Sequence, residues 1–339
     1  MNFKGIIGHG NQLKRLELMR AKDMVPHTML FSGPAGTGKR IIAERFIASM
    51  FCESPDPPCL ECRVCRQLAG GTYPDFISIV PDEKGAISID TVRWLIDRLS
   101  RKPVSGRYGV TIDSVEKISI QGQNALLKTI EEPPAGTHIV LVTSNKSLIL
   151  PTILSRSSEI SFYPLDTEEI RTVLSQQGHD DFIRSNVPEI SGGSLEIAHI
   201  LADSDNFNSI MELCRDISSF LDSGTPLTLE LKHFNKGVGM ERLILILTGI
   251  YRYIFLTRMQ GGDPAQGFME IAPDNIEKVR KLIKILLALW RGFSNNLNVR
   301  SALKGMLYAM DEMDEFSIPG LQNIVQEYRH GSFSCQAAE

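Results

Sequence analysis

The 339-residue chain contains no run of about 18 uncharged apolar residues, so no segment has the length and character of a membrane-spanning helix. Its opening, MNFKGIIGHG, lacks the apolar stretch of a secretory leader, and a cytoplasmic location with no membrane partner is expected. Low-complexity tracts and internal repeats are also lacking, which excludes solenoids and disordered scaffolds. No charge of one sign dominates: 36 Lys and Arg stand against 40 Asp and Glu, leaving −4. Neutralising a phosphate backbone needs clustered Lys and Arg, so any nucleic-acid contact is local rather than a property of the whole surface. What is present is ordinary for a folded protein, 42% hydrophobic and 22% charged, in a length that suits two or three domains of roughly 100–200 residues each.

Cysteine is scarce, six in all, yet four of them fall in the pattern Cys52-x6-Cys59-x2-Cys62-x2-Cys65, while Cys214 and Cys335 stand alone. In a chain without a secretory leader this favours metal over disulfides. Four thiolates on short loops suit tetrahedral zinc, and a closed set of four leaves no position for water, so the zinc is structural. Pro55, Pro57 and Pro58 keep the first arm out of helix. Cys214, on an apolar helical stretch, reads as a core residue.

The first half alternates short apolar runs with helical patterns. Strands are expected around 29–31, 76–80, 109–112 and 138–142, and helices around 40–50, 90–99 and 123–130. That rhythm predicts a parallel sheet with helices on both faces. In the helix after Ile89, Asp90 is placed to cap the first turn, Val92, Leu95, Ile96 and Leu99 form the inward stripe, and Arg93, Asp97 and Arg98 face outward. After Phe162-Tyr163-Pro164 the strand signal stops. Short helices follow around Gly192-Gly193, and from about Phe207 the apolar spacing is helical throughout, including 243–256, 279–290 and 299–310.

Between the first strand and the first long helix lies Gly33-Pro34-Ala35-Gly36-Thr37-Gly38-Lys39. Backbone N–H groups of such a loop, at a helix N-terminus, can cradle phosphates, with Lys39 reaching the terminal ones. The alternative is a purely structural turn with Lys39 paired to a carboxylate. The next residue in a complete loop is Ser or Thr, whose hydroxyl helps to hold magnesium; here it is Arg40. At the end of the strand 110–113, Asp113 stands where such ATPases orient magnesium, but Ser114 follows where a Glu positions the attacking water. Glu116 is expected to be a solvated surface carboxylate. With two parts of the phosphoryl-transfer apparatus missing, ATP hydrolysis by this chain is not expected, and ATP or ADP binding at Gly33, Gly36, Thr37, Gly38, Lys39 and Asp113 is left doubtful.

Asn124-Ala125-Leu126-Leu127-Lys128-Thr129-Ile130-Glu131-Glu132-Pro133-Pro134 resembles the NALLKxLEEPP signature of the AAA+ clamp-loader subunits of bacterial DNA polymerase III. Leu150-Pro151-Thr152-Ile153-Leu154-Ser155-Arg156-Ser157 resembles their LPTILSRC segment, with Ser157 in place of Cys. Ile7-Gly8-His9 and Pro26 to Gly33 look like the family's opening, and Asn296-Leu297-Asn298 like the start of its last collar helix. The resemblance implies an α/β AAA+ module over 1–165 with the zinc insertion at 52–65, a helical lid over 166–206, an all-α collar over 207–330, and a flexible tail over 331–339.

It further implies that Arg156 is an arginine finger acting in trans on ATP bound to a neighbouring subunit. The cysteine knuckle is similar to the family's zinc module, and Thr143-Ser144-Asn145 occupies the place of its first sensor. In Gly193-Ser194-Leu195-Glu196, Glu196 stands where active relatives carry a phosphate-sensing Arg. These departures imply a non-hydrolysing stator in a hetero-oligomer with gamma/tau and delta subunits, contacting the sliding clamp and primed DNA through that complex. The alternative is an ATP-hydrolysing gamma/tau-type subunit. A zinc-bearing DNA-binding module unrelated to replication would need a basic, aromatic-lined surface, and the mixed charge around Arg63 and Arg66 gives it little support.

Overall fold

The computed structural model describes residues 3, 5–83, 85–224 and 239–292. The helix expected over 299–310, the segment Asn296-Leu297-Asn298, Cys335 and the tail over 331–339 lie outside the described residues. The chain divides into two compact units, the first running to Pro164 and the second starting at Leu165.

The first unit is built, in chain order, from α1 (Gly10–Ala21), β1 (Thr28–Ser32), α2 (Lys39–Phe51), α3 (Arg63–Ala69), β2 (Phe76–Ile79), α4 (Ile89–Leu99), β3 (Tyr108–Ile112), α5 (Ile120–Glu131), β4 (Thr137–Thr143), α6 (Pro151–Leu154) and β5 (Ser158–Ser161). The five strands form one sheet in the order β2-β3-β4-β1-β5, and every pairing is parallel. β1 and β3 are buried at every residue, as expected of strands covered on both faces. One face packs on α4 and α5 through Val92, Leu95, Leu99, Leu126 and Ile130. The other packs on α1 and α2 through Leu16, Ile42, Ala43, Phe46 and Ile47.

Register places the working edge. Ser32 of β1 lies opposite Thr143 of β4 and Ser161 of β5, and Ile112 of β3 opposite Leu141 of β4. The residues that follow β1, β3 and β4 therefore emerge on the same, carboxyl-terminal side of the sheet, where ligands of open α/β sheets bind.

Two local expectations are corrected. α4 is capped by Ser88, whose Oγ accepts from Thr91 N–H at 3.0 Å, while Asp90 sits in the first turn facing Arg93. The cap lies two residues earlier than expected, because a serine at 88 offers its hydroxyl to the first turn. Arg98 does not face outward. It donates to Pro74 O at 2.9 Å, lies over the Tyr108 ring at 5.1 Å, and approaches the fully buried Asp75 at 3.8 Å. Asp75 in turn accepts from the backbone N–H groups of Val104 (3.1 Å) and Ser105 (2.5 Å), so a buried carboxylate is paired rather than isolated.

The second unit is helical: α7 (Thr167–Gln176), α8 (Asp181–Ile190), α9 (Leu195–Ala202), α10 (Ser204–Ser223), α11 (Met240–Met259), α12 (Gln266–Met269) and α13 (Ile276–Gly292). A full capping box starts α7, with Asp166 accepting from Glu169 N–H at 2.7 Å and Glu169 accepting from Asp166 N–H at 3.0 Å. Residues expected in the lid, such as Ile197 and Leu201, and in the collar, such as Ile210, Leu247 and Leu286, belong to one continuous hydrophobic core. Cys214 is fully buried in that core, and burial pushes its thiol up to about 12. No helix among the described residues is long and apolar enough to cross a membrane.

Gly249 of α11 lies against the end of α8, where an added Cβ would collide with the Ile190 carbonyl oxygen. Alanine is about 1 kcal/mol better than glycine inside a helix, yet here a backbone atom cannot swing aside. Gly249→Ala is therefore expected to destabilise the protein by about 1–3 kcal/mol, read as a lower midpoint in denaturant unfolding. An unchanged or raised midpoint would show that propensity outweighs the close approach.

Candidate functional site

β1 leads directly into the loop 33–38, and α2 begins at Lys39. Gly33, Gly36 and Gly38 have φ of 146°, 74° and 84°. A side chain at Gly33 would also strike the Phe162 carbonyl oxygen, so this position needs glycine for space as well as for conformation. The loop is held from within. Thr37 Oγ1 donates to Pro34 O at 3.1 Å, and His9 Nε2 lies 2.8 Å from Thr37 O, which makes that nitrogen the donor. Lys39 is buried at the first turn of α2, and its Nζ donates to Pro34 O at 2.5 Å and toward Thr37 Oγ1 at 3.5 Å. The ammonium thus lies folded across the loop it would serve.

Arg40, in place of the magnesium-binding hydroxyl, pairs with Glu44 one helical turn along at 2.9 Å. Asp113 follows β3 on the same side of the sheet. Burial pushes its carboxyl above the ordinary range, opposed by the positive charges of Arg40 and Lys39 and reinforced by Glu116. The structure therefore brings Gly33 to Lys39, Arg40 and Asp113 into one electrostatic neighbourhood.

Glu116 belongs to it too, and this corrects the sequence reading of a solvated surface group. Ser114 takes the left-handed conformation, φ 54° and ψ 52°, and the chain then makes a single tight turn over Val115–Lys117. Val115 and Ile118 anchor that turn in the core. Glu116 is only 9% exposed. Its Oε1 accepts from Ser144 N–H at 3.0 Å and Ser144 Oγ at 2.6 Å, while its buried Oε2 has no partner among the described residues. Ser144 is thus committed to Glu116. Asn145 instead accepts from Ser147 N–H at 3.0 Å and caps the next turn.

Arg156 lies in the turn between α6, which starts at Pro151, and β5. Its Nε forms an ion pair with Glu131 Oε1 at 2.5 Å, and its Nη1 donates to Thr152 O at 3.2 Å and Ser155 Oγ at 3.3 Å. The side chain is 41% exposed. Glu159, three residues further along, does not hold Arg156: it accepts from Ser32 Oγ, from Lys146 Nζ at 2.8 Å and from Ser161 Oγ at 3.2 Å. In the second unit, Glu196 sits in the first turn of α9 and pairs with Arg242 of α11 at 2.5 Å.

The ligand atoms of Cys52, Cys59, Cys62 and Cys65 all lie within 4.8 Å of one another, the one such His, Cys, Asp or Glu cluster among the described residues. Tetrahedral zinc with Zn–S of about 2.3 Å sets sulfurs roughly 3.8 Å apart, so the cage fits. Backbone N–H groups already face the sulfurs: Cys59 N–H to Cys52 Sγ at 3.4 Å, Cys62 N–H to Cys59 Sγ at 3.3 Å, and Cys65 N–H to Cys62 Sγ at 3.4 Å. The N–H groups of Glu61 and Cys62 hold the Cys59 thiol down to about 6, whereas burial pushes Cys65 up to about 12. A central dication would supply the charge that lets all four ionise. Bound there, zinc would cross-link the end of α2 to the start of α3.

A parallel β2-β3-β4-β1-β5 sheet with a phosphate loop between β1 and α2 is an α/β module of the AAA+ class. Residues 8–166 match the family described as "DNA polymerase III, delta subunit". The delta' subunit of DNA polymerase III from Pseudomonas aeruginosa is 39% identical over 134 residues, 38% of this chain and 41% of that protein. The tau subunit from Bacillus subtilis is 32% identical over 204 residues, 59% of this chain and 35% of that protein, and the tau subunit from Escherichia coli 33% identical over 184 residues, 53% and 28%. Residues 8–166 are thus similar to the DNA polymerase III clamp-loader family. The alignments span between 28% and 41% of the length of these three relatives. A DNA polymerase III gamma-subunit-related protein of Thermotoga maritima superposes at a TM-score of 0.45 with 19% identity, covering 88% of this chain and 98% of that one.

Proposed function

We propose that the chain is a delta'-type subunit of the DNA polymerase III clamp loader, a stator that does not hydrolyse ATP itself and lends Arg156 to ATP on a neighbouring gamma/tau subunit. The observation that carries this reading is the composition of the carboxyl edge of the sheet. An intact phosphate loop there is followed by Arg40 in place of the metal-binding hydroxyl and by Ser114 in place of the water-positioning carboxylate. Phosphoryl transfer depends on metal-assisted charge neutralisation and a placed nucleophile, so the loss of both parts removes the chemistry while leaving the cradle. The ion pair between Glu196 and Arg242 supports the same reading, because it puts a committed carboxylate at the position where active relatives place a phosphate-sensing arginine.

In this role residues 166–206 serve as a lid and 207–330 as the oligomerising collar. The delta and gamma/tau subunits are the direct partners, and the sliding clamp and primed DNA are reached through the assembled complex in the cytoplasm. Nucleotide at Gly33 to Lys39 is at most held, and the four cysteines hold a structural zinc.

A second reading, an ATP-hydrolysing gamma/tau-type subunit, is favoured by Glu116. Its partnerless Oε2 lies buried beside Asp113, within the neighbourhood where a water-positioning group is needed. Magnesium-dependent ATP turnover by the isolated chain separates the two. The stator reading expects background rates for the native chain and for Lys39→Ala alike. Turnover that Lys39→Ala and Glu116→Gln each abolish would establish the hydrolysing subunit instead.

A further inference from the structure

We infer that Glu131 is the positioning residue for Arg156, an inference that rests on the trans role proposed for that arginine. Glu131 is the last residue of α5. A carboxylate there faces the negative end of the helix dipole, so helix stability does not account for it. Its place is nevertheless fixed, because Glu132 leaves the helical conformation (φ −129°, ψ 69°) ahead of Pro133-Pro134, and a residue before proline is excluded from continuing a helix. Arg156 is fixed from the other side: α6 starts on Pro151, and Arg156 N–H donates to Ile153 O at 3.2 Å as the chain turns into β5. Two proline-bounded segments thus bring a carboxylate and a guanidinium to 2.5 Å at the surface.

The division of the guanidinium is what gives the pair a purpose. Nε lies on Glu131 and Nη1 on Thr152 O and Ser155 Oγ, which arrests rotation of the planar group, while Nη2 has no partner among the described residues. One nitrogen with two donors is left to meet an incoming phosphate oxygen. Both side chains are about two-fifths exposed, 41% and 42%, so a neighbouring subunit can reach them, and an ion pair this wet adds little to stability. The benefit is that a long, rotamer-rich side chain is ordered before it meets the transition state.

The test is steady-state ATP turnover by the complex reconstituted with delta and gamma/tau subunits on primed DNA, using the full chain carrying Glu131→Gln, Arg156→Ala, or both. Glu131→Gln is expected to lower kcat about tenfold with KM for ATP unchanged, and Glu131→Asp to recover part of the loss. The double variant should turn over no more slowly than Arg156→Ala alone, since Glu131 acts through that arginine. Full turnover in Glu131→Gln, with turnover lost in Arg156→Ala, overturns this inference and leaves the trans role standing. Losses that multiply in the double variant overturn it too, because Glu131 would then act independently. No loss in Arg156→Ala overturns both the inference and the reading beneath it.

Discussion

Arg156→Ala is expected to leave the chain folded and assembled while cutting ATP turnover at the neighbouring site on the order of 10³-fold, the usual worth of an arginine finger. Truncation removes an exposed ion pair with Glu131 and two hydrogen bonds within its own turn, so stability should change by less than about 1 kcal/mol. The large effect belongs to the transition state, where a guanidinium beside the γ-phosphate offsets developing charge that a methyl group cannot. Arg156→Lys should recover little, because a point charge does not reproduce the planar fork. Turnover by the reconstituted complex, measured beside a melting curve of the isolated variant, separates catalysis from folding. Native rates with Arg156→Ala would remove the proposed trans role.

Replacing Cys59 and Cys62 together with serine is expected to take the metal content from about one zinc per chain to none. Cys52 ends α2 and Cys62 caps α3, so a metal held there would link two helices whose neighbours Phe51 and Leu68 are seated in the core on that face of the sheet. Releasing that link should lower the melting midpoint by roughly 5 °C, through loosening of the segment 52–69 rather than collapse of the sheet. Metal analysis of the purified native chain decides the first half: no bound zinc there would defeat the assignment.

How far the fold is legible in the sequence depends on burial. The continuous apolar runs of β1, β3 and β4 are recognisable because both faces are covered, and the stripe of α4 because one face is. β5 is not, since among Ser158–Ser161 only Ile160 is buried and the strand is otherwise a polar edge. α1 is hidden for the same reason, with Leu16 as its one buried residue.

At the candidate site, the loop, Asp113 and the four cysteines are set by local spacing and can be named from it, whereas Arg156 is named only through the resemblance of its segment to a family motif. Glu116 is not, because its burial depends on Ser114 adopting a conformation that non-glycine residues seldom take and on Ser144 arriving from another strand. Glu131 is visible within a motif, but its contact with Arg156 joins segments that only the fold brings together.

The 13-residue α2 starts where the anion cradle ends and stops where the cage of sulfurs begins. At about 1.5 Å per residue it is a strut roughly 20 Å long, with at its far end a set of four cysteines whose chemistry owes nothing to nucleotide. In the stator proposed above, a metal-filled knuckle would keep the loop 33–38 in shape by bracing α2 from behind.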